Sequence, residues 1–169
     1  SRSMPWADPA TGRSPHFWGR AIGWYGMGLV DVLEILPPRH PGREKLIGIL
    51  RRLAESLLKY RDPGSKLWYQ VVDQGGRPGN YLEASASAMN TYVFARGASQ
   101  GFLPPAYRAR ARESFDGIVA HLVSVDAKGA VALHNVCSVA GLGGKPYRDG
   151  SYAYYIGEPK RTNDFKGFG

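Results

Sequence analysis

The chain has 169 residues, 43% apolar and 21% charged, the balance of a soluble globular protein of one domain with a usable core. One cysteine, Cys137, excludes an internal disulfide framework and fits a reducing compartment. No apolar run approaches the roughly 18 residues of a membrane span and no signal-peptide pattern opens the chain, so the expectation is a cytoplasmic protein with no membrane partner. A formal charge of +8 favours anionic partners, an acidic carbohydrate among them. The basic residues are nevertheless scattered, and Arg108, Arg110 and Arg112 read as a solvated helix face, so no nucleic-acid partner is expected.

Residues 1–15 are rich in proline, glycine and serine and read as an extended loop. A helix follows from near Phe17 to Leu36, stopped by Pro37 and Pro38. It contains "HFWGRAIGWYGMGLVD", whose glycines Gly19, Gly23, Gly26 and Gly28 each cost up to about 1 kcal/mol relative to alanine. That cost is recovered only if neighbours or ligands lie close to the helix backbone. Leu46, Leu50, Leu53 and Leu57 mark the apolar stripe of a conventional amphipathic helix over 43–60. After the turn "RDPG" and the extended "LWYQVV", a second small-residue helix runs over 82–96. A fourth helix, 106–123, carries Ala111, Phe115, Ile118 and Leu122 as its stripe. "GAVALHNV" reads as extended, "AGLGGKPYRDGS" as a loop and "YAYYIG" as a short segment. "TNDFKGFG" looks like the start of another helix, capped by Thr162 or Asn163.

Small-residue helices thus alternate with amphipathic ones, and a helix-pair repeat of about 60 residues is implied. Rings or solenoids of helix pairs bury small-residue helices inside and put amphipathic ones outside. The fold class read from the residues is therefore all-α, built of helix pairs, over the single domain 1–169.

Arg20 and Trp24 share one helix face. An arginine fork suits a carboxylate, and an indole one turn away supports a sugar ring, with Trp18 adding a second flat surface. The alternative is a core tryptophan beside a structural arginine paired to a helix-end carboxylate. Glu83, Ser85, Ser87 and Asn90 place polar groups on a helix made for burial, so they either bond to one another and the backbone or face a wet cavity. Asn80 reads as a turn or cap residue. The "GLGG" run lacks the lysine and Ser/Thr of a phosphate-binding loop and reads as a turn. Asp149 in "YRDGS" reads as a turn residue, and Cys137 as a lone buried thiol. His16, His40, His121 and His134 show no ligand spacing, so neither metal nor cofactor is expected. No carboxylate pair with acid/base geometry stands out.

Three long stretches carry a resemblance: "WADPATGRSPHFWGRAIGWYGMGLVDVLEILP", "LWYQVVDQGGRPGNYLEASASAMNTYVFARG" and "CSVAGLGGKPYRDGSYAYYIGEPKRTNDFKGFG". Nearly end to end, the chain resembles the unsaturated rhamnogalacturonyl hydrolases of glycoside hydrolase family 105. The resemblance implies part of an (α/α)6 toroid. It also implies release of unsaturated galacturonic acid from rhamnogalacturonan oligosaccharides, with an unsaturated galacturonyl-rhamnose oligosaccharide as substrate. In that chemistry an aspartic acid protonates C4 of the C4=C5 enol ether, water adds at C5, and the hemiketal collapses, without a cofactor. Carried over by motif, Trp18, Arg20 and Trp24 line the uronate subsite, and Ala140 and Gly141 approach the sugar. The family's aspartate belongs to sequence that precedes Ser1. The expectation is therefore a C-terminal half toroid, inactive alone, partnered by the missing N-terminal half or by a second copy of itself. The remaining readings are a non-catalytic carbohydrate-binding helical module and a helical-repeat scaffold for proteins.

Overall fold

The computed structural model describes residues 4–168; Ser1–Ser3 of the expected leading loop and Gly169 of the last helix lie outside the described residues. Four long helices dominate: α1 (Gly19–Ile35), α2 (Arg43–Lys59), α3 (Ala84–Ser99) and α4 (Tyr107–Leu122). Two two-stranded antiparallel ribbons follow. The first pairs β1 (Val123–Val125) with β2 (Val131–Leu133), and the second pairs β3 (Val136–Cys137) with β4 (Lys160–Arg161). Two short helices complete the chain, α5 (Tyr152–Gly157) and α6 (Phe165–Phe168). In place of an extended leading loop, residues 4–15 form turns, one tied by the Asp8 carboxylate accepting from Ala10 and Thr11.

The glycines of α1 are explained by α3. A Cβ on Gly19 would lie 2.9 Å from the Ala86 Cβ, on Gly23 2.7 Å from the Met89 Cβ, and on Gly26 2.8 Å from the Val93 Cγ2. The stripe 19/23/26 thus meets 86/89/93 with backbones too close for any side chain on α1. Gly28 is different: its Cβ would meet open space.

The small-residue helices α1 and α3 pack on each other, while α2 packs on α1 and α4 on α3, as expected of helix pairs. Between them lies the main core, with Leu33, Leu50, Leu57, Trp68 and Phe94 essentially fully buried. The Trp68 indole donates to the Leu57 carbonyl at 2.8 Å and meets Phe94 edge-on, so the one polar atom of this large side chain is satisfied inside the core. The stripe of α2 is as expected at Leu50 and Leu57, with Ile47 and Ala54 buried beside them and Leu46 and Leu53 half-buried.

The stripe of α4 needs correction, because Phe115 is exposed. Its inward positions are taken instead by Ser114 and Gly117. The Ser114 hydroxyl donates to the Lys66 carbonyl at 2.8 Å, and a Cβ at Gly117 would overlap the Ser65 carbonyl oxygen. The turn at 62–67 presses its backbone onto α4, so only small residues fit there. The segment "YAYYIG" is helical: the Ser151 hydroxyl caps α5 by accepting from the Tyr154 N–H. At α6 the capping carboxylate is that of Asp164, which accepts from the Lys166 N–H. Asn163 instead accepts from the Leu133 N–H.

Candidate functional site

Arg20 sits in the first turn of α1 and is 3% exposed. Its Nε donates to the Ser85 hydroxyl at 2.7 Å, and Nη2 reaches both Glu83 Oε1, at 3.5 Å, and the Cys137 carbonyl. Glu83 is the N-cap of α3 and wholly buried. Its carboxylate accepts from the N–H groups of Ala86 at 2.6 Å and Cys137 at 2.8 Å, and from the Ser85 hydroxyl. A carboxylate at a helix N-terminus is favoured by the orphan N–H groups and the helix dipole. Here it also neutralises a buried guanidinium, which without it would be strongly destabilising. This network ties α1, α3 and β3 together. Ser87 accepts from the Trp68 N–H at 3.2 Å. Ser85 also borders a small cavity of about 100 Å³. Asn90 is fully buried with both amide atoms unpartnered among the described residues.

A second network stands beside the first. Gln70, fully buried, accepts from the Trp18 indole N–H at 3.2 Å and donates to the Cys137 Sγ and the Tyr155 carbonyl. The Trp18 ring stacks on Tyr155 at a centroid distance of 6.4 Å and lies 5.6 Å from the Arg20 guanidinium. Trp18 is therefore held on its edge, on one face and from behind. Cys137 is the buried free thiol expected, and its pKa is raised chiefly by burial, which keeps it protonated. His134 lies elsewhere, bonded to Ser124 and Thr162.

Trp18 lines a groove of about 460 Å³ shared with His16, Phe17, Tyr25, Gly141 and Tyr155. A neighbouring groove of about 600 Å³ shares Phe17, Ile22 and Leu53 with it and adds Arg13, Tyr60 and Asp73. Of the five residues implicated by motif, Trp18 and Gly141 line the first groove. Arg20 lies behind Trp18, and Ala140 is buried with Cys137 and Tyr155. Trp24 is 60% exposed and lines neither groove. The Gly141 N–H is engaged by the Tyr154 hydroxyl at 3.1 Å. Burial pushes the Tyr154 and Tyr155 hydroxyls up to about 12, so both stay protonated and serve as hydrogen-bonding groups.

Among the described residues no carboxylate lines the Trp18 groove; Asp73, with one carboxylate oxygen unpartnered among the described residues, lines the neighbouring groove. Asp149 is a turn residue as expected, its pKa lowered by the Ser151 N–H. Asp31 accepts from the Tyr92 hydroxyl at 2.7 Å. Asn80 is the turn residue expected, bonding the backbone of Val71 and Gln74. Among the described residues no three His, Cys, Asp or Glu side chains form a metal-sized cluster, and no helix is long and apolar enough to cross a membrane. Gln70, Tyr155 and His16 are site residues that periodicity does not mark. Only the polar glutamine inside the apolar "LWYQVV" hints at one of them.

The model of Glycosyl Hydrolase Family 88 matches residues 1–169. The chain belongs to glycosyl hydrolase family 88. A glycoside hydrolase from family 105 of C. acetobutylicum superposes with a TM-score of 0.94 at 48% identity, over 98% of this chain and 46% of that one. A 24.9 kDa protein in the picA locus of Rhizobium radiobacter is 40% identical over 175 residues, 100% of this chain and 74% of that protein. The unsaturated rhamnogalacturonyl hydrolase YesR of Bacillus subtilis is 36% identical over 72 residues, 43% of this chain and 20% of YesR. This family 88 chain is thus GH105-like, and its helix pairs are part of an (α/α)6 toroid. It spans less than half the length of the family 105 structure.

Proposed function

We propose that this chain is the binding wall of a glycoside hydrolase that releases unsaturated galacturonic acid from rhamnogalacturonan-derived oligosaccharides. Family 88 membership supports a carbohydrate substrate, and the match to an unsaturated rhamnogalacturonyl hydrolase supports the finer choice. The observation that carries the reading is the groove in which Trp18 and Gly141 meet, with the Arg20–Glu83 network locking the wall from behind. An indole face held edge and back supports a sugar ring without losing rotamer freedom on binding. Trp18 and Gly141 form the proposed subsite wall in the groove, with Arg20 and Ala140 buried behind it, while Trp24 stands outside it on the exposed flank of α1. Arg20 acts as a positioning residue, with Nη1 as its nitrogen without a partner among the described residues.

The chemistry requires an acid at C4 of the enol ether and water at C5. Asp8 and Asp149 hold turns and Asp31 accepts from a tyrosine, which supports an acid supplied from outside this chain and a chain inactive alone. The exposed Trp24, Tyr25, Val32 and Ile35 of α1 support a partner, either the missing half of a toroid or a second copy. The single buried thiol fits a cytoplasmic setting. Calorimetry with an unsaturated galacturonyl-rhamnose disaccharide tests the reading: binding that is lost in Trp18→Ala supports it, and absence of binding refutes it. The engaged carboxylates equally favour a non-catalytic carbohydrate-binding module. Reading the coding region before Ser1 separates the two, because an open frame with the family's aspartate belongs to the enzyme alone.

A further inference from the structure

We infer that Arg148 is the cation that recognises the carboxylate of a uronate sugar in the Trp18 groove. The inference rests on the proposed uronate substrate and adds to it the residue that reads its charge. Arg148 pairs with Gly143 through both backbone bonds, at 2.8 and 3.2 Å, and its Nε donates to the Gly143 carbonyl at 2.8 Å. Two backbone bonds therefore close the loop, and one side-chain bond ties the guanidinium to it. The rest of the guanidinium lies over two glycines. A Cβ on Gly141 would come 2.7 Å from Nη1, and one on Gly144 would come 2.9 Å from Nη2. Gly144 also has φ +82°, a conformation that side chains disfavour. The "GLGG" run is thus a cradle shaped to hold this guanidinium.

What the cradle presents is an uncompensated charge. Neither Nη1 nor Nη2 of Arg148 has a hydrogen-bond partner, and no carboxylate pairs with it, among the described residues. Asp149, next in the chain, is turned into the Ser151 turn. Arg20 is the opposite case, since its charge is already neutralised by Glu83. Arg13, beside the second groove, is exposed and held by no side-chain bond to its guanidinium among the described residues. Arg51 is held in the same way, through Nε to the Phe102 carbonyl, but it lines a different cavity with Glu55 and Tyr107. Arg148 combines a fixed fork with N–H groups that have no partner among the described residues, and Gly141, against which Nη1 packs, lines the groove beside Trp18 and Tyr155. A carboxylate lying over the Trp18 groove meets such a fork in two parallel hydrogen bonds, the strongest geometry for this pair. Fixing the fork beforehand removes the ordering cost on binding.

The test uses the chain as it stands, with D-galacturonate and D-galactose as probes that differ in the carboxylate. Titration followed by NMR shifts of the tryptophan indoles is expected to show galacturonate binding about tenfold tighter than galactose, equivalent to about 1.4 kcal/mol. In Arg148→Gln that preference should vanish while galactose affinity is kept. Arg148→Lys, which keeps the charge and loses the fork, should retain part of the preference, and unchanged melting of either variant shows that the loop is intact. Equal binding of the two sugars by the native chain overturns the inference, as does a preference that survives in Arg148→Gln. A carboxylate preference that depends on Arg148, found together with no affinity for the unsaturated disaccharide, leaves this inference standing and refutes the proposed substrate.

Discussion

Helix α1 has two flanks, and they are built differently. Toward α3 it presents Gly19, Gly23 and Gly26 in backbone contact, with Arg20 locked into Glu83 and Ser85. Away from α3 it presents Trp24, Tyr25, Val32 and Ile35, exposed between 43% and 83%, and a Gly28 that touches nothing. The first flank is finished in the sense that each glycine has a reason and each charge a partner. The second carries large apolar groups that no neighbour covers, the pattern of a surface made for contact. One helix thus shows where this chain is complete and where it is open to ligands or partners.

The strongest way to break the finished flank is Glu83→Ala. It strands the Arg20 guanidinium, removes the cap of α3 and frees the Cys137 N–H. A loss of about 3–5 kcal/mol is expected, the range for breaking a buried ion pair, measured by urea unfolding. Gly23→Ala comes next, because the new methyl meets the Met89 Cβ at 2.7 Å. Overpacking of that kind costs about 1–3 kcal/mol. Gly28→Ala sharpens the contrast with the opposite sign. In open space on a helix, alanine is expected to add up to about 1 kcal/mol of stability, and a lower melting temperature would show that Gly28 is already covered. Ile35→Lys, on the open flank, is expected to stay within about 0.5 kcal/mol of the native chain while removing any self-association seen in sedimentation.

The smallest effect is in acid. At Asp62, burial acts to raise the pKa, but the N–H and hydroxyl of Ser65 and the Tyr69 hydroxyl hydrogen-bond to the carboxylate and hold it below its ordinary 3.8. A carboxylate with a depressed folded value stabilises above its unfolded pKa, and that contribution is lost as pH falls through the lower folded value. Asp62→Asn is therefore expected to flatten the fall in stability below pH 3.8 and to leave its shape near neutrality unchanged.

Much of the fold was legible in the residues, because helix periodicity and proline stops are local signals. The stretch expected over 43–60 is α2 at Arg43–Lys59, and 106–123 is α4 at Tyr107–Leu122. Phe115 was misplaced because the turn at Ser65, distant in sequence, decides which face of α4 is inward. The helix at Tyr152–Gly157 is too short for a period to show. At the site, the spacing of Arg20 and Trp24 implied a shared face, yet one is 3% and the other 60% exposed. Burial there is set by Glu83 and Cys137, partners 63 and 117 residues away. The alternative of an arginine paired to a helix-end carboxylate describes the Arg20 contacts observed. Gln70 and Arg148 gave no periodic signal at all, since each is defined by the loop it holds.

We propose that this chain binds the unsaturated sugar without supplying the proton. The most direct test is to follow the C4=C5 bond of an unsaturated galacturonyl-rhamnose disaccharide by NMR in the presence of the chain alone. The expected result is shifted resonances from a bound sugar whose double bond persists. Loss of the double bond at a rate that scales with chain concentration would contradict it.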